Sequence, residues 1–218
     1  MAGCAITNLS TERLTSILHR HMRRFAVCAV AALLAAPAAP AAATAQSSNW
    51  SIDPVHSELT FRIRHYVTKV RGTFGKWSGS ITADPKNLAT GAVAVSIDAK
   101  SIDTNNENRD NHLRSNDFFA TDSFPTLEFK SSQVSVKGEA VTIQGTLTIR
   151  GKSKPVTLTG SFGGITKDAQ GKERMGFEAS TKVNRLDYGV SWNRAVEGGG
   201  IMLGDEVEIN ITIEAVKS

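Results

Sequence analysis

The sequence predicts an all-β domain, a sandwich or barrel of about eight short antiparallel strands with one short helix set between two of them. Three observations carry this. Apolar and polar residues alternate with period two in segment after segment, turn residues interrupt them at hairpin-length intervals, and helical spacing appears in a single stretch. No strand–helix–strand rhythm is present, so a parallel sheet is not expected.

The chain begins with a targeting segment. Residues 22–45 read MRRFAVCAVAALLAAPAAPAAATA. Arg23 and Arg24 form a positive start, an Ala/Val/Leu-rich core follows, and Ala43-Thr44-Ala45 supplies a small-x-small cleavage pattern before Gln46. The core is short and contains two prolines, so it reads as a cleaved signal and not as a spanning helix. Residues 1–21 are mixed and polar, which makes Met22 a candidate start. Cys28 lacks the Leu-small-small run of a lipidation site. The expected organisation is a leader and signal peptide over 1–45, with the signal at 22–45, and one exported domain over 46–218, located in the periplasm. Both cysteines, Cys4 and Cys28, fall in the leader, so the domain is expected to fold without a disulfide. The chain has 25 Lys+Arg and 21 Asp+Glu; the leader takes four Arg and one Glu, leaving 21 against 20 and a net charge of +1. That near-neutral balance excludes the basic footprint of a nucleic-acid-binding protein.

The strands follow in order. Leu59, Phe61, Ile63, His65 and Val67 share one face, with Glu58, Thr60, Arg62, Arg64 and Tyr66 on the other. Weaker alternation runs through Trp77–Ala83, Ala92–Asp98, Leu127–Val136, Val156–Phe162 and Phe177–Val183. Val141, Ile143, Gly145, Leu147 and Ile149 oppose Thr142, Gln144, Thr146, Thr148 and Arg150; near the end, Val207, Ile209, Ile211, Ile213 and Ala215 oppose a polar face. Turn chemistry separates the segments at Asp84-Pro85-Lys86-Asn87, at Lys137-Gly138 and at Lys167–Lys172. Strand phase makes Phe61, Ile63, Val67, Val95, Ile97, Phe129, Leu147, Ile149, Phe162 and Phe177 the inward set. From pattern alone an ordinary filled core is the plainer reading, because an eight-stranded barrel is just wide enough for side chains or one slender ligand.

The stretch Ser101–Phe119, SIDTNNENRDNHLRSNDFF, breaks the alternation. Thr104-Asn105-Asn106-Glu107 matches a capping box, with Thr104 as N-cap and Glu107 reaching back. A helix over about 105–116 follows, with Asp110 and Arg114 spaced to pair. Asn105, Arg109 and His112 lie on one side of it, and Leu113, Phe118 and Phe119 anchor it. A calcium loop is excluded: its sixth position is Asn108 where glycine is required, and its twelfth is Arg114 where glutamate is required. The exported part offers only His56, His65 and His112 and no cysteine, so a zinc site would have to be assembled from distant strands. No Gly-x-Ser-x-Gly elbow occurs, and His56 and Ser57 point to opposite faces of a strand. Asp110 and Asp117 could act as an acid–base pair only across a cleft from another carboxylate. Gly198-Gly199-Gly200 lacks the Gly-Lys-Ser/Thr of a phosphate loop and reads as a loop before the last strand. No catalytic residue, metal or cofactor is expected.

At this point the residues resemble the YceI-like family. The resemblance rests on WSIDPVHS (50–57), KVRGTF (69–74), the whole of 101–119, LTIRG (147–151) with Lys154-Pro155-Val156, Val183-Asn184-Arg185, Asp187-Tyr188-Gly189, and Gly204-Asp205-Glu206-Val207. The blocks run collinearly over about 50–216, with Ala120 and Tyr188 standing where the family pattern has Asp and Phe. The resemblance implies an extended, lipocalin-like antiparallel barrel that binds polyisoprenoid lipids. It turns the filled core into a tunnel, with the inward set above as its walls and Asn105, Arg109 and His112 at a mouth facing the lipid head group. Implied partners are an isoprenoid or other amphiphilic lipid, quinone-like in some cases, and transiently a membrane or membrane protein; no nucleic acid is expected, and a homodimer is left open. Two alternatives remain: an enzyme acting on such a lipid through Arg109 and His112, and a solid-core envelope or stress module. Mass spectrometry of the exported protein is expected to find Gln46 at its N-terminus; an N-terminus further upstream overturns the signal assignment.

Overall fold

The computed structural model describes residues 47–196 and 200–218. The leader over 1–45 with its cleavage site, and Gly198-Gly199, lie outside the described residues. The strands are β1 (Ser48–Ile52), β2 (Glu58–His65), β3 (Thr68–Phe74), β4 (Trp77–Asp84), β5 (Asn87–Asp98), β6 (Ile102–Asp103), β7 (Thr126–Lys137), β8 (Ala140–Ile149), β9 (Lys152–Lys167), β10 (Glu173–Asn184), β11 (Ala195–Val196), β12 (Gly200–Ile201) and β13 (Leu203–Lys217). Among the described residues one helix, α1 (Glu107–Arg114), lies between β6 and β7, and two three-residue-per-turn elements occupy Ala99–Ser101 and Arg185–Tyr188.

These strands form eight antiparallel staves closed into a barrel. Three staves are broken in the middle: β1 with β2, β3 with β4, and β5 with β6. The pairings β1–β4 and β2–β3 make one long hairpin in two halves, and β4–β5 with β3–β6 make the next. β7, β8, β9 and β10 continue the meander to β13. β13 then closes the ring against both halves of the first stave, Leu203–Thr212 along β2 and Ala215–Lys217 along β1. Closure removes the open edges that an extended sheet would otherwise present.

The first stave breaks at Asp53–Ser57, where Pro54 has no N–H to give to a ladder. Ser57 supplies the missing pairing with its hydroxyl, which donates to the Glu214 carbonyl at 3.2 Å and accepts from the Glu214 N–H at 3.0 Å. Arg174 on β10 straps the break from outside. Its guanidinium bonds Asp53 at 3.0 Å, Asp168 at 3.0 Å and Glu214 at 2.5 Å. His56 adds a 3.0 Å bond to Asp53.

The helix meets a different need. The β5–β6 stave pairs with β7 only as far as Asp98, so β6 is left with an unpaired edge. Arg114 covers it, donating Nε to the Lys100 carbonyl at 2.9 Å and Nη2 to the Ile102 carbonyl at 2.8 Å. Asp110 is buried and accepts from the Thr104 N–H at 2.9 Å and the Thr104 hydroxyl at 2.5 Å. The expected Asp110–Arg114 pair therefore does not form. A buried strand edge with orphan backbone groups costs more to neglect than an exposed i,i+4 ion pair gains, so both side chains turn to the backbone. The cap also differs: Asn106 is the N-cap, its side chain accepting from the Arg109 N–H at 2.9 Å, while Thr104 belongs to the strand-edge network. Asn105 lies before the helix with φ +58 and is exposed, so it does not share a helical side with Arg109 and His112.

One end of the barrel is packed shut by Trp50, Ile81, Ala83, Met175, Ile213 and Ala215. The strap beside that end sets a pH dependence. The Asp53 carboxyl is held at about 2, chiefly by the hydrogen bond from His56, then by the Val55 N–H and Arg174; His56 is raised above its ordinary 6.5 by Asp53. A depressed carboxyl contributes fully above its unfolded value of 3.8 and loses that contribution as pH falls toward 2. A raised imidazole contributes fully below 6.5 and loses it as pH climbs through its folded value. Thermal unfolding followed against pH is expected to show a plateau from about 4 to 6.5 that falls on both sides. Asp53→Asn should make the acid limb shallower and His56→Gln the alkaline limb; limbs that stay the same in both variants would refute the assignment.

Candidate functional site

The interior beyond the packed end is hollow. A cavity of about 470 Å³ runs along the barrel axis, within the ~300–1,000 Å³ range that takes one small organic ligand. Its walls are the alternate residues of the staves, which explains why Leu59, Phe61, Ile63, Val95, Ile209 and Ile211 point inward yet are only partly buried. Two wall phenylalanines lie against glycines on the adjoining strand. A Cβ on Gly72 would sit 2.3 Å from the Phe61 ring, and one on Gly145 would sit 2.6 Å from the Phe129 ring. The missing side chains let these rings lie along the wall instead of across the bore.

Most of the expected tunnel residues border this cavity: Phe61, Ile63, Val95, Ile97, Phe129, Leu147, Ile149 and Phe177. Two do not. Val67 is 96% exposed, because the chain turns at Tyr66 with φ +50 and the strand parity ends there. Phe162 faces inward but packs between the core clusters below the cavity, opposite Phe177 across a β-bulge at Gly176/Phe177. Of the expected mouth residues, Arg109 and His112 border the cavity and Asn105 does not.

The open end is framed by α1, by the turn between β2 and β3, and by the segment from Val190 to Met202. Asn108 and Arg109 border the cavity while exposed to solvent, and His65, Val70, Trp192 and Met202 face them, partly exposed. His112, Phe118 and Trp192 form an aromatic cluster there, with ring centroids 5.0 to 5.2 Å apart. The polar groups at the mouth are already engaged. Arg109 donates to the Thr104 hydroxyl and carbonyl, each at 2.7 Å, and His112 Nε2 lies 2.9 Å from Asp117.

Sequence reasoning missed the other polar corner of the cavity, the turn Arg185–Tyr188. Asn184 caps it, its side chain accepting from the Leu186 N–H, and Gly189 ends it in the left-handed conformation. Arg185 is 4% exposed and ties the turn to the rim. It donates to the Gly204 carbonyl at 2.9 Å, the Val190 carbonyl at 2.7 Å, the Trp192 carbonyl at 2.8 Å, and Asp205 at 3.4 Å. Burial pushes its guanidinium below the usual arginine value, with Asp205 opposing. Tyr188, also at the cavity, is 2% exposed, and burial, followed by the charge of Asp187, pushes its phenol up to about 12. The signal available in the sequence was the Val183–Gly189 block itself, which carries no periodicity to mark an inward face.

Asp53, His56 and Glu214 bring three potential metal ligands within 4.8 Å of one another. Arg174 is already their counter-ion, donating to both carboxylates, and its charge opposes a cation in the same place.

Comparison with known proteins places this architecture. The model of the YceI-like domain matches residues 50–215. A UPF0312 protein of Vibrio cholerae is 33% identical over 150 residues, covering 67% of this chain and 79% of that protein. The crystal structure of a Campylobacter jejuni YCEI protein superposes with a TM-score of 0.63 at 30% identity, covering 71% of this chain and 89% of that one. A polyisoprenoid binding domain from Saccharophagus degradans, implicated in plant cell wall breakdown, shares the fold with a TM-score of 0.59 at 16% identity, over 78% and 98% of the two chains.

Val95→Phe is expected to abolish uptake of an apolar, environment-sensitive fluorescent probe with little change in thermal midpoint, since the added ring enters empty space. The same change in a filled core would cost about 1–3 kcal/mol. Unaltered uptake would place the bound probe elsewhere.

Proposed function

The chain belongs to the YceI-like family, and on that premise we propose that it binds a long isoprenoid or related amphiphilic lipid inside the barrel, as an exported carrier or sequestering protein of the periplasm. The observation that supports this most directly is the cavity: elongated, walled by alternate apolar side chains of the staves, closed at one end and open at the other. Such a shape suits a chain with one polar end. A solid-core module is a poorer description of a barrel with this much interior space. A catalytic reading through Arg109 and His112 has less support, because Arg109 is committed to Thr104 and His112 to Asp117.

The energetics constrain what such a protein selects. Burying each methylene from water contributes about 0.8 kcal/mol. A lipid drawn from a bilayer has already gained that, so the tail contributes little to selection between membrane and barrel. Length of the bore and polar contacts at its mouth must discriminate among ligands. A carrier of this kind also needs transient access to a membrane or a membrane protein.

Organic extraction of the protein purified from its native envelope, followed by mass spectrometry, is expected to release a prenyl-chain lipid. Absence of any co-purifying lipid, together with no uptake of a polyprenyl quinone by the emptied protein, would overturn the proposal.

A further inference from the structure

We propose that Tyr188 is the specificity-determining residue of the cavity, its hydroxyl donating a hydrogen bond to an oxygen on the polar end of the bound lipid. The inference rests on the lipid-binding reading above and narrows it to amphiphiles whose head carries a hydrogen-bond-accepting oxygen, such as an alcohol, ether or carbonyl, held at the Arg185–Tyr188 turn.

Three buried polar side chains border the cavity: Thr60, Arg185 and Tyr188. Thr60 donates to the Asn210 carbonyl, and Arg185 has four protein acceptors. No hydrogen bond to a described residue contributes to the shift of the Tyr188 phenol, and the residue is only 2% exposed; unlike Trp50 Nε1 at the packed end, the unpartnered side-chain donor that protein atoms fully enclose, its hydroxyl keeps some open surface. A hydroxyl at the edge of a largely apolar space gains from an acceptor placed there, because little else nearby can take its hydrogen bond. Tyr188 borders the cavity, so an oxygen carried by an occupant of the cavity can serve as the acceptor.

The position fits a head group. The turn lies at the open end: Arg185 anchors it to Gly204, next to Leu203, which pairs with His65 at the rim. Arg150 ties the carbonyls of Gly189 and Phe118 together, joining the turn to the aromatic cluster beside α1. A lipid whose tail runs toward the packed end would leave its polar end at this level. Burial raises the phenol's pKa, so it stays protonated and remains a donor across the physiological range. The head-group contact thus shifts from the helix, whose polar groups are engaged, to the turn that follows β10.

The test compares wild type with Tyr188→Phe, which removes one oxygen and keeps the ring. Three probes share one hydrocarbon: geranylgeraniol, its methyl ether and the parent hydrocarbon without oxygen. The expected result is an affinity for alcohol and ether lowered about tenfold in the variant, about 1.4 kcal/mol, with hydrocarbon affinity equal or higher. Equal weakening for all three probes would mean that the ring only packs. No change for any would mean that water serves the hydroxyl. Either result overturns the proposal while leaving lipid binding intact. Failure of every probe to bind the wild type removes the lipid-binding reading and this proposal with it. A second measurement needs no variant: in wild-type protein carrying ζ-carbon-labelled tyrosine, the Tyr188 resonance should shift with alcohol or ether and not with the hydrocarbon. Identical spectra with all three would count against the contact.

Discussion

The structure depends on β13 finding backbone partners along both edges for nearly its whole length. On one edge β10 pairs with it over Glu206–Val216. On the other, no single straight strand suffices, and β1 and β2 share the task. The break between them is where closure is most exposed to failure, because Pro54 cannot donate and the chain must change direction. Ser57 restores the missing hydrogen bonds, and Arg174 holds Asp53, Asp168 and Glu214 across the gap. The cluster that looks most like a metal site is thus a brace for the seam. Its carboxylates gather because an arginine neutralises them.

The hollow interior follows from closure with particular side chains. One end is filled by Trp50 and its neighbours. Along the remainder, inward residues meet across a bore too wide for them to fill. Phe61 and Phe129 lie back over Gly72 and Gly145, which keeps the volume open. Dense interiors are the rule for proteins, and an apolar void of several hundred Å³ forgoes dispersion contacts on every wall. An apolar chain lying in the bore would restore those contacts.

Polar chemistry around the bore divides into two kinds. At α1, Asp110, Arg109 and Arg114 serve the strand edge, and their hydrogen-bonding capacity is directed to Thr104, Lys100 and Ile102. Losing Asp110 would strand the buried Thr104 N–H and hydroxyl, a cost of about 1–3 kcal/mol. At the Arg185–Tyr188 turn the arginine plays the same structural part, and the tyrosine borders the bore. The charge in SIDTNNENRDNHLRSNDFF serves mainly as scaffolding for the strand edge, even though Arg109 and His112 also border the bore.

Much of the architecture was legible in the sequence, because period two and turn chemistry are local properties. The alternation along Leu59–His65, Val141–Ile149 and Val207–Ala215 names the inward face of each stave, and the helix between strands announces itself by its spacing. Local rules fail where partners come from elsewhere in the chain. Parity says Val67 points inward, but a left-handed Tyr66 turns the chain away first. A capping box assigns Thr104 to the helix, but the unpaired edge of β6 claims it, along with Asp110 and Arg114. Neither Arg174 with its three carboxylates nor the place of Tyr188 at the bore has any sequence signal, since both depend on which residues lie next to them in space. The sequence by itself therefore determined the strands, their faces and the family. Only the tertiary structure decided that the barrel is hollow, which end is open and which polar side chains border the bore, because a cavity and its lining exist only once distant segments have packed together.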